Sequence, residues 1–188
     1  MSCVERLRRI LDEPLDYLHP QRLQLPAGFN HAEARHALNQ ILLERMDSPE
    51  ASTSMPLTAV AQLWIRTWRQ LPYIACLIGA WRLFPQLVRD KVLQQLPAPM
   101  RHFAGCRPGP RVCLPLERSC AVLHQVEAAG FNALVGLSGF IPPPLIQRLP
   151  LQFSPLVVDQ HAQWPDAAAD TTLFFLAVQH ARLYPNPE

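Results

Sequence analysis

The sequence predicts an all-α fold: a single irregular domain, residues 1–188, of about seven or eight helices with Pro-rich connectors. Three observations carry this. Apolar residues recur at three- and four-residue spacing along most of the chain. No run alternates apolar and polar residues between Asn-Gly or Asp-Gly turns, so strand signals are weak. The chain holds 20 prolines against 7 glycines, and the prolines fall mostly at predicted helix starts and in connectors, where a fixed φ and a missing N–H do little harm. Apolar residues make up 49% and charged residues 17%, too apolar for disorder. A chain of this length buries roughly 70% of the surface it exposes when unfolded, enough for a core without staples.

The opening "MSCVERLRRILDE" carries charges where a signal peptide has its apolar stretch. With the odd set Cys3, Cys76, Cys106, Cys113 and Cys120, this points to reduced thiols in a cytosol. "LDYLHPQRLQLP", 15–26, is too broken for a long helix and too apolar for a free loop. Tyr17 and Leu18 read as anchors. His19 before Pro20 is pushed toward an extended backbone, and Leu23 and Leu25 alternate with polar neighbours, as in a segment strapped across helices. "NHAEARHALNQILLERMD" opens with Asn30 as cap and Glu33 three residues on, and places Ala34, Leu38, Ile41, Leu42 and Met46 on one face. "SPEASTSMP", 48–56, is a polar connector.

A helix over about 57–69 follows, with Leu57, Val60, Ala61, Trp64, Ile65 and Trp68 inward and Thr58, Gln62, Arg66 and Arg69 outward. The tryptophans Trp64, Trp68 and Trp81 read as core. Pro72 starts the most apolar helix, "LPYIACLIGAW"; at about half the length of a spanning helix it reads as buried, not as membrane-inserted. Pro85 starts "PQLVRDKVLQQL". Residues 97–115 hold five prolines and two glycines and are expected as a long irregular loop. From Leu116 the helical pattern resumes and continues through Gly130 at some cost. The Pro-rich connector 141–157 should break it, in an extended polyproline stretch with a short turn at 145–149. A last helix spans roughly 166–183, with Leu173, Phe174, Ala177, Ala181 and Tyr184 inward.

Reactive constellations are sparse. His102, Cys106, Cys113, Cys120 and His124 are spaced H-x3-C-x6-C-x6-C-x3-H, but structural zinc sites use tight C-x2-4-C knuckles, and cysteine often fills space; no metal is expected. "GLSGF", 136–140, has Phe140 where the second glycine of a nucleophile elbow belongs, and no strand precedes it. There is no phosphate-binding glycine loop and no H-E-x-x-H pair. His19 has no nucleophile or carboxylate partner in the pattern. No catalytic residue and no cofactor is expected.

Charge placement says more. Net charge is +2, too small to argue for nucleic acid. All of the 17 basic residues but Lys91 are arginine, which suits either a GC-rich codon bias or bidentate pairing with carboxylates on a partner. Between Asp90 and Glu117 there is no acid, while Lys91, Arg101, Arg107 and Arg111 are basic; between Arg148 and Arg182 there is no lysine or arginine, while Asp159, Asp166 and Asp170 are acidic. Patches of opposite sign suit two protein partners: Arg101, Arg107 and Arg111 for one, Asp159, Asp166 and Asp170 for the other.

The order "YLH", "LP", "ALNQILLERMD", "IACLIGAWRLFPQLVRDKVL" and "RLPLQFSP", over about residues 14–157, resembles the SctK/YscK family of bacterial type III secretion systems. The N-terminal "MSCVERLRRILDE" and the final helix have no counterpart in it. The resemblance implies a non-enzymatic cytosolic adaptor of the sorting platform. It would link the cytoplasmic domain of the inner-membrane ring protein to the platform protein with its stator and ATPase. Two rival readings are a type III export chaperone, which should be an acidic α/β dimer, and a small helical metal protein built on Cys106, Cys113 and Cys120.

Overall fold

A computed structural model describes residues 2–29, 31–46, 57–106, 116–117, 120–162 and 164–185. Ten α-helices and six short 3-10 turns, with no strand, make up the secondary structure among these residues, so the fold is all-α. The chain divides into two compact units, each built from two separate stretches: 1–69 with 138–155, and 70–137 with 156–188.

In the first unit, α1 (Cys3–Asp12) is held by a capping box: the Ser2 hydroxyl accepts from the Glu5 N–H at 3.1 Å, and the Glu5 carboxylate accepts from the Ser2 N–H at 2.7 Å. α2 (Ala32–Arg45) is capped by His31, whose Nδ1 accepts from the Ala34 N–H; the expected cap, Asn30, lies outside the described residues, as do 48–56. The expected inward face of α2 is only half covered. Ala34, Leu38, Leu42 and Met46 are half-buried and Ile41 is exposed. The one buried residue is polar: Asn39, whose side chain accepts from the Leu15 N–H at 3.0 Å.

α3 (Ala59–Arg66) starts at Thr58, which accepts from the Ala61 N–H and donates to the Phe140 carbonyl at 2.9 Å. Val60, Ala61, Trp64, Ile65 and Trp68 are buried, as expected, while Thr58, Gln62, Arg66 and Arg69 are exposed. The expected polyproline stretch is instead α8 (Pro143–Arg148). Pro142 is its N-cap and Pro143 and Pro144 fill the first turn, where N–H groups have no intrahelical acceptor to lose. A 3-10 turn, Leu149–Gln152, follows, and Leu145, Leu149 and Phe153 are fully buried.

The second unit is organised around α4 (Leu71–Arg82), in which every residue except Pro72 is buried. α7 (Val122–Val135) runs through Gly130 without a break. The reason lies in close approach. A Cβ on Gly130 would strike the Ala75 carbonyl, and one on Gly79 would strike that of Val126. The two glycines thus let α4 and α7 touch backbone to backbone. α5 (Phe84–Arg89) is shorter than expected because Lys91 takes φ 58°, the one positive φ outside glycine among the described residues. The Val92 N–H then bonds the Leu87 carbonyl at 3.0 Å and the Lys91 N–H that of Val88 at 3.1 Å, a Schellman ending with lysine where glycine is usual.

The expected loop 97–115 begins as a helix, α6 (Ala98–Gly105). Pro97 is its N-cap, Pro99 sits in the first turn, and Met100, Phe103 and Ala104 at i, i+3, i+4 pack toward α4. Residues 107–115 lie outside the described residues. α9 (Pro155–His161) takes up the end of the expected connector. α10 (Thr171–Leu183) starts later than expected, at Asp170, whose carboxylate accepts from the Leu173 N–H at 2.8 Å. Leu173, Phe174, Ala177 and Ala181 are buried, but Tyr184 lies past the helix end and is 44% exposed.

Candidate interaction surfaces

The segment 15–26 does dock, and its partner is another part of the first unit. Tyr17 sits edge-on to Trp68, ring centroids 5.1 Å apart, and its hydroxyl donates to the Ile10 carbonyl at 2.8 Å. Burial holds the phenol far above its ordinary pKa, against the opposing charge of Arg148. The His19 N–H donates to the Leu151 carbonyl and Arg22 Nε to the Phe153 carbonyl, each at 2.8 Å. The imidazole of His19 accepts from the Gln21 N–H and so shapes a local turn. Two of the segments that carry the family resemblance, "YLH" and "LPLQF", are therefore joined directly.

Sequence reasoning missed what anchors this strap electrostatically. The Asp16 carboxylate accepts from Arg9 Nη2 at 2.8 Å, Arg35 Nη2 at 2.9 Å and Arg69 Nη2 at 2.9 Å, while Arg9 Nε also bonds Glu13 at 2.8 Å. The i,i+4 spacing of Arg9 and Glu13 was visible in the sequence; the reach from Asp16 to Arg69 was not.

Of the charges expected to meet partners, Arg101 lies on α6, half-buried, with Nη1 donating to the Gln94 carbonyl and side chain at 3.3 and 3.0 Å. Arg107 and Arg111 lie outside the described residues. Asp159 is exposed on α9 and Asp166 exposed in the segment after it, whereas Asp170 is half-buried as the cap of α10.

Of the Cys/His set, His102 is exposed on α6, with ring centroids 5.8 Å from His180 and 6.0 Å from Tyr184. Cys106 is exposed, Cys120 donates weakly to Glu117, His124 is half-buried on α7, and Cys113 is outside the described residues. Among the described residues no three His, Cys, Asp or Glu side chains converge as metal ligands do. Ser138 of "GLSGF" is exposed in a 3-10 turn, without the strand-to-helix bend that a nucleophile elbow needs.

The main polar cluster of the second unit is structural in form. Arg82, 6% exposed, donates through Nη1 to the Ala129 carbonyl at 2.6 Å and to Asn132 Oδ1 at 2.8 Å. Burial lowers its pKa to about 10. Asn132 Nδ2 lies 3.1 Å from His161 Nδ1 and donates to the Pro165 carbonyl. Since the amide is the donor, the neutral His161 carries its proton on Nε2. No helix of the described residues is long and apolar enough to cross a membrane.

The described residues thus form an all-α protein of two compact units. Comparison with known proteins identifies the family. Residues 7–183 match the family described as bacterial type III secretion apparatus protein (OrgA/MxiK), and the chain belongs to that family. It is 33% identical over 180 residues to the Oxygen-regulated invasion protein OrgA of Salmonella typhimurium, in three strains, covering 95% of this chain and 88% of the relative. The type III secretion resemblance seen in the segment order is thus correct, and it extends into the N-terminal and C-terminal helices, where the segment order had found no counterpart. No solved structure matches.

Proposed function

We propose that this protein is a non-enzymatic adaptor of the type III secretion sorting platform, acting in the cytoplasm at the inner-membrane face of the apparatus. It links the cytoplasmic domain of the inner-membrane ring protein to the platform protein with its stator and ATPase, and protein secretion requires it. The observation that carries this reading is membership of the secretion-apparatus family across nearly the whole chain. The all-helical build of the described residues is compatible with it.

In this reading Arg101 meets one partner together with Arg107 and Arg111, which lie outside the described residues, and Asp159, Asp166 and Asp170 meet the other. Because the Asp170 carboxylate is engaged as a helix cap, the exposed Asp159 and Asp166 carry most of the acidic contact, beside Leu156, which is 61% exposed on α9. In a secreting bacterium, deleting the gene should stop substrate export while the membrane ring still assembles. With purified partners, Arg101→Glu with Arg111→Glu should weaken one association, and Asp159→Lys with Asp166→Lys the other, at unchanged helical circular dichroism. Binding unaltered in every pairing removes these site assignments.

A further inference from the structure

On one flank of the first unit three guanidinium groups, of Arg9, Arg35 and Arg69, meet the one carboxylate of Asp16, and Arg6 bonds the Arg66 backbone beside them. Arg9 and Arg69 both place Nη2 on the same oxygen of Asp16, Oδ2, while Arg35 holds the other oxygen and Glu13 takes only Arg9. Arg6 reaches across to the carbonyl of Arg66 at 3.4 Å. Glu5 is taken up by its own helix cap, and Asp12 pairs with none of these arginines.

The arrangement is a two-rung ladder. Arg6 and Arg9 stand three residues apart on α1; Arg66 and Arg69 stand three residues apart at the end of α3 and the turn after it. Each spacing is close to one helical turn. The outer arms are open to solvent: the side chain of Arg69 is 67% exposed, that of Arg9 53%, and Arg66 is exposed. Among the described residues the Arg69 guanidinium bonds Asp16 alone, and the side chain is otherwise largely open to solvent. Three guanidinium groups bond the one Asp16 carboxylate, so cation outnumbers anion at that point among the described residues. Guanidinium forks fit planar carboxylates, and Asp16 shows a carboxylate already seated between two of these arms.

We infer that the arginine ladder of Arg6, Arg9, Arg66 and Arg69 around Asp16 is a docking surface for an acidic segment of a protein partner, whose carboxylates, one helical turn apart, complete the rungs that Asp16 half fills. The inference rests on the adaptor reading for the partner's setting, but its surface is separate from the Arg101, Arg107 and Arg111 patch.

The test uses the full chain and two variants. Arg66→Glu with Arg69→Glu leaves Asp16 its bonds to Arg9 and Arg35; Asp16→Asn removes the built-in competitor. Binding is measured against the purified platform protein, the purified cytoplasmic domain of the ring protein, a helical peptide with glutamates one turn apart, and vesicles of phosphatidylglycerol and phosphatidylcholine in equal parts. The double reversal should weaken association with one of the two proteins, and with the peptide, by about tenfold, mostly through the on-rate and with a flatter salt dependence. Asp16→Asn should tighten the same association by about twofold, which a purely structural carboxylate would not do. If neither protein binds the native chain, the adaptor reading fails and the peptide alone decides the ladder. If the double reversal, folded by circular dichroism, matches the native chain against both proteins and the peptide, the inference is overturned. Vesicle binding that the reversal abolishes, without protein or peptide binding, also overturns it, in favour of a membrane. Should Asp16→Asn fail to fold, the double reversal settles the matter.

Discussion

Replacing Gly130 with alanine tests the backbone-to-backbone seam of the second unit. On an exposed helix this change stabilises by about 1 kcal/mol, because alanine loses less chain entropy and has the higher helix propensity. Here the added methyl would stand on the Ala75 carbonyl and 2.7 Å from the Ala75 Cα. Those atoms belong to a helix backbone and cannot rotate away as a side chain could. α4 and α7 must move apart, loosening the contacts on either side, at a cost of about 1–3 kcal/mol and toward the upper end for a clash this close. Offsetting the propensity gain leaves a net loss of about 2 kcal/mol, or roughly 4–8 °C in Tm for a chain of this size. Urea unfolding followed by circular dichroism reads it directly. The paired change Gly79→Ala, whose Cβ would meet the Val126 backbone across the same seam, should add less in the double variant than alone, since the helices are already parted. A Gly130→Ala protein as stable as the native one, or more so, would refute the seam.

Other outcomes follow from single residues. Burial raises the Glu127 carboxyl to about 7, so the folded state holds its proton longer than the unfolded one; the stability it contributes is complete below about pH 4.5 and is lost as pH rises toward 7. Glu127→Gln should therefore stabilise at pH 8, on the order of 2 kcal/mol, and leave pH 4 nearly unchanged; denaturant midpoints at the two pH values check the sign. Lys91→Gly relieves a left-handed backbone at a Schellman position and should stabilise by about 1 kcal/mol, read as a raised denaturant midpoint. Tyr17→Phe removes the hydroxyl bond to Ile10 and should cost about 1 kcal/mol, while Tyr17→Ala, which also empties the space beside Trp68, should cost about 3–5; parallel melts separate the two.

The helices that sequence reads well are those whose apolar stripe meets a partner along its length. In α3, α4 and α10 the residues expected inward are buried almost without exception, because periodicity and burial have the same cause. α6 and α8 escaped for one shared reason. Their prolines were read as breakers, yet each sits at the cap or in the first turn, where it costs no hydrogen bond. α1 carries its own start signal, Ser2 and Glu5 three apart, in a stretch read only for what a signal peptide would need. In α2 the stripe is present but half uncovered, which a pattern within one helix does not reveal. Runs of like charge are legible along the chain, whereas the Asp16 cluster draws on residues as far apart as 16 and 69 and exists only in the fold.

The bonds from His19 to Leu151 and from Arg22 to Phe153 have a consequence for synthesis. The amino-terminal third leaves the ribosome long before the strand of chain that clasps it. Everything from residue 70 to 137 must emerge first. A nascent chain released at residue 137 should therefore hold its first seventy residues open to proteases, and adding back a 138–155 fragment should close them.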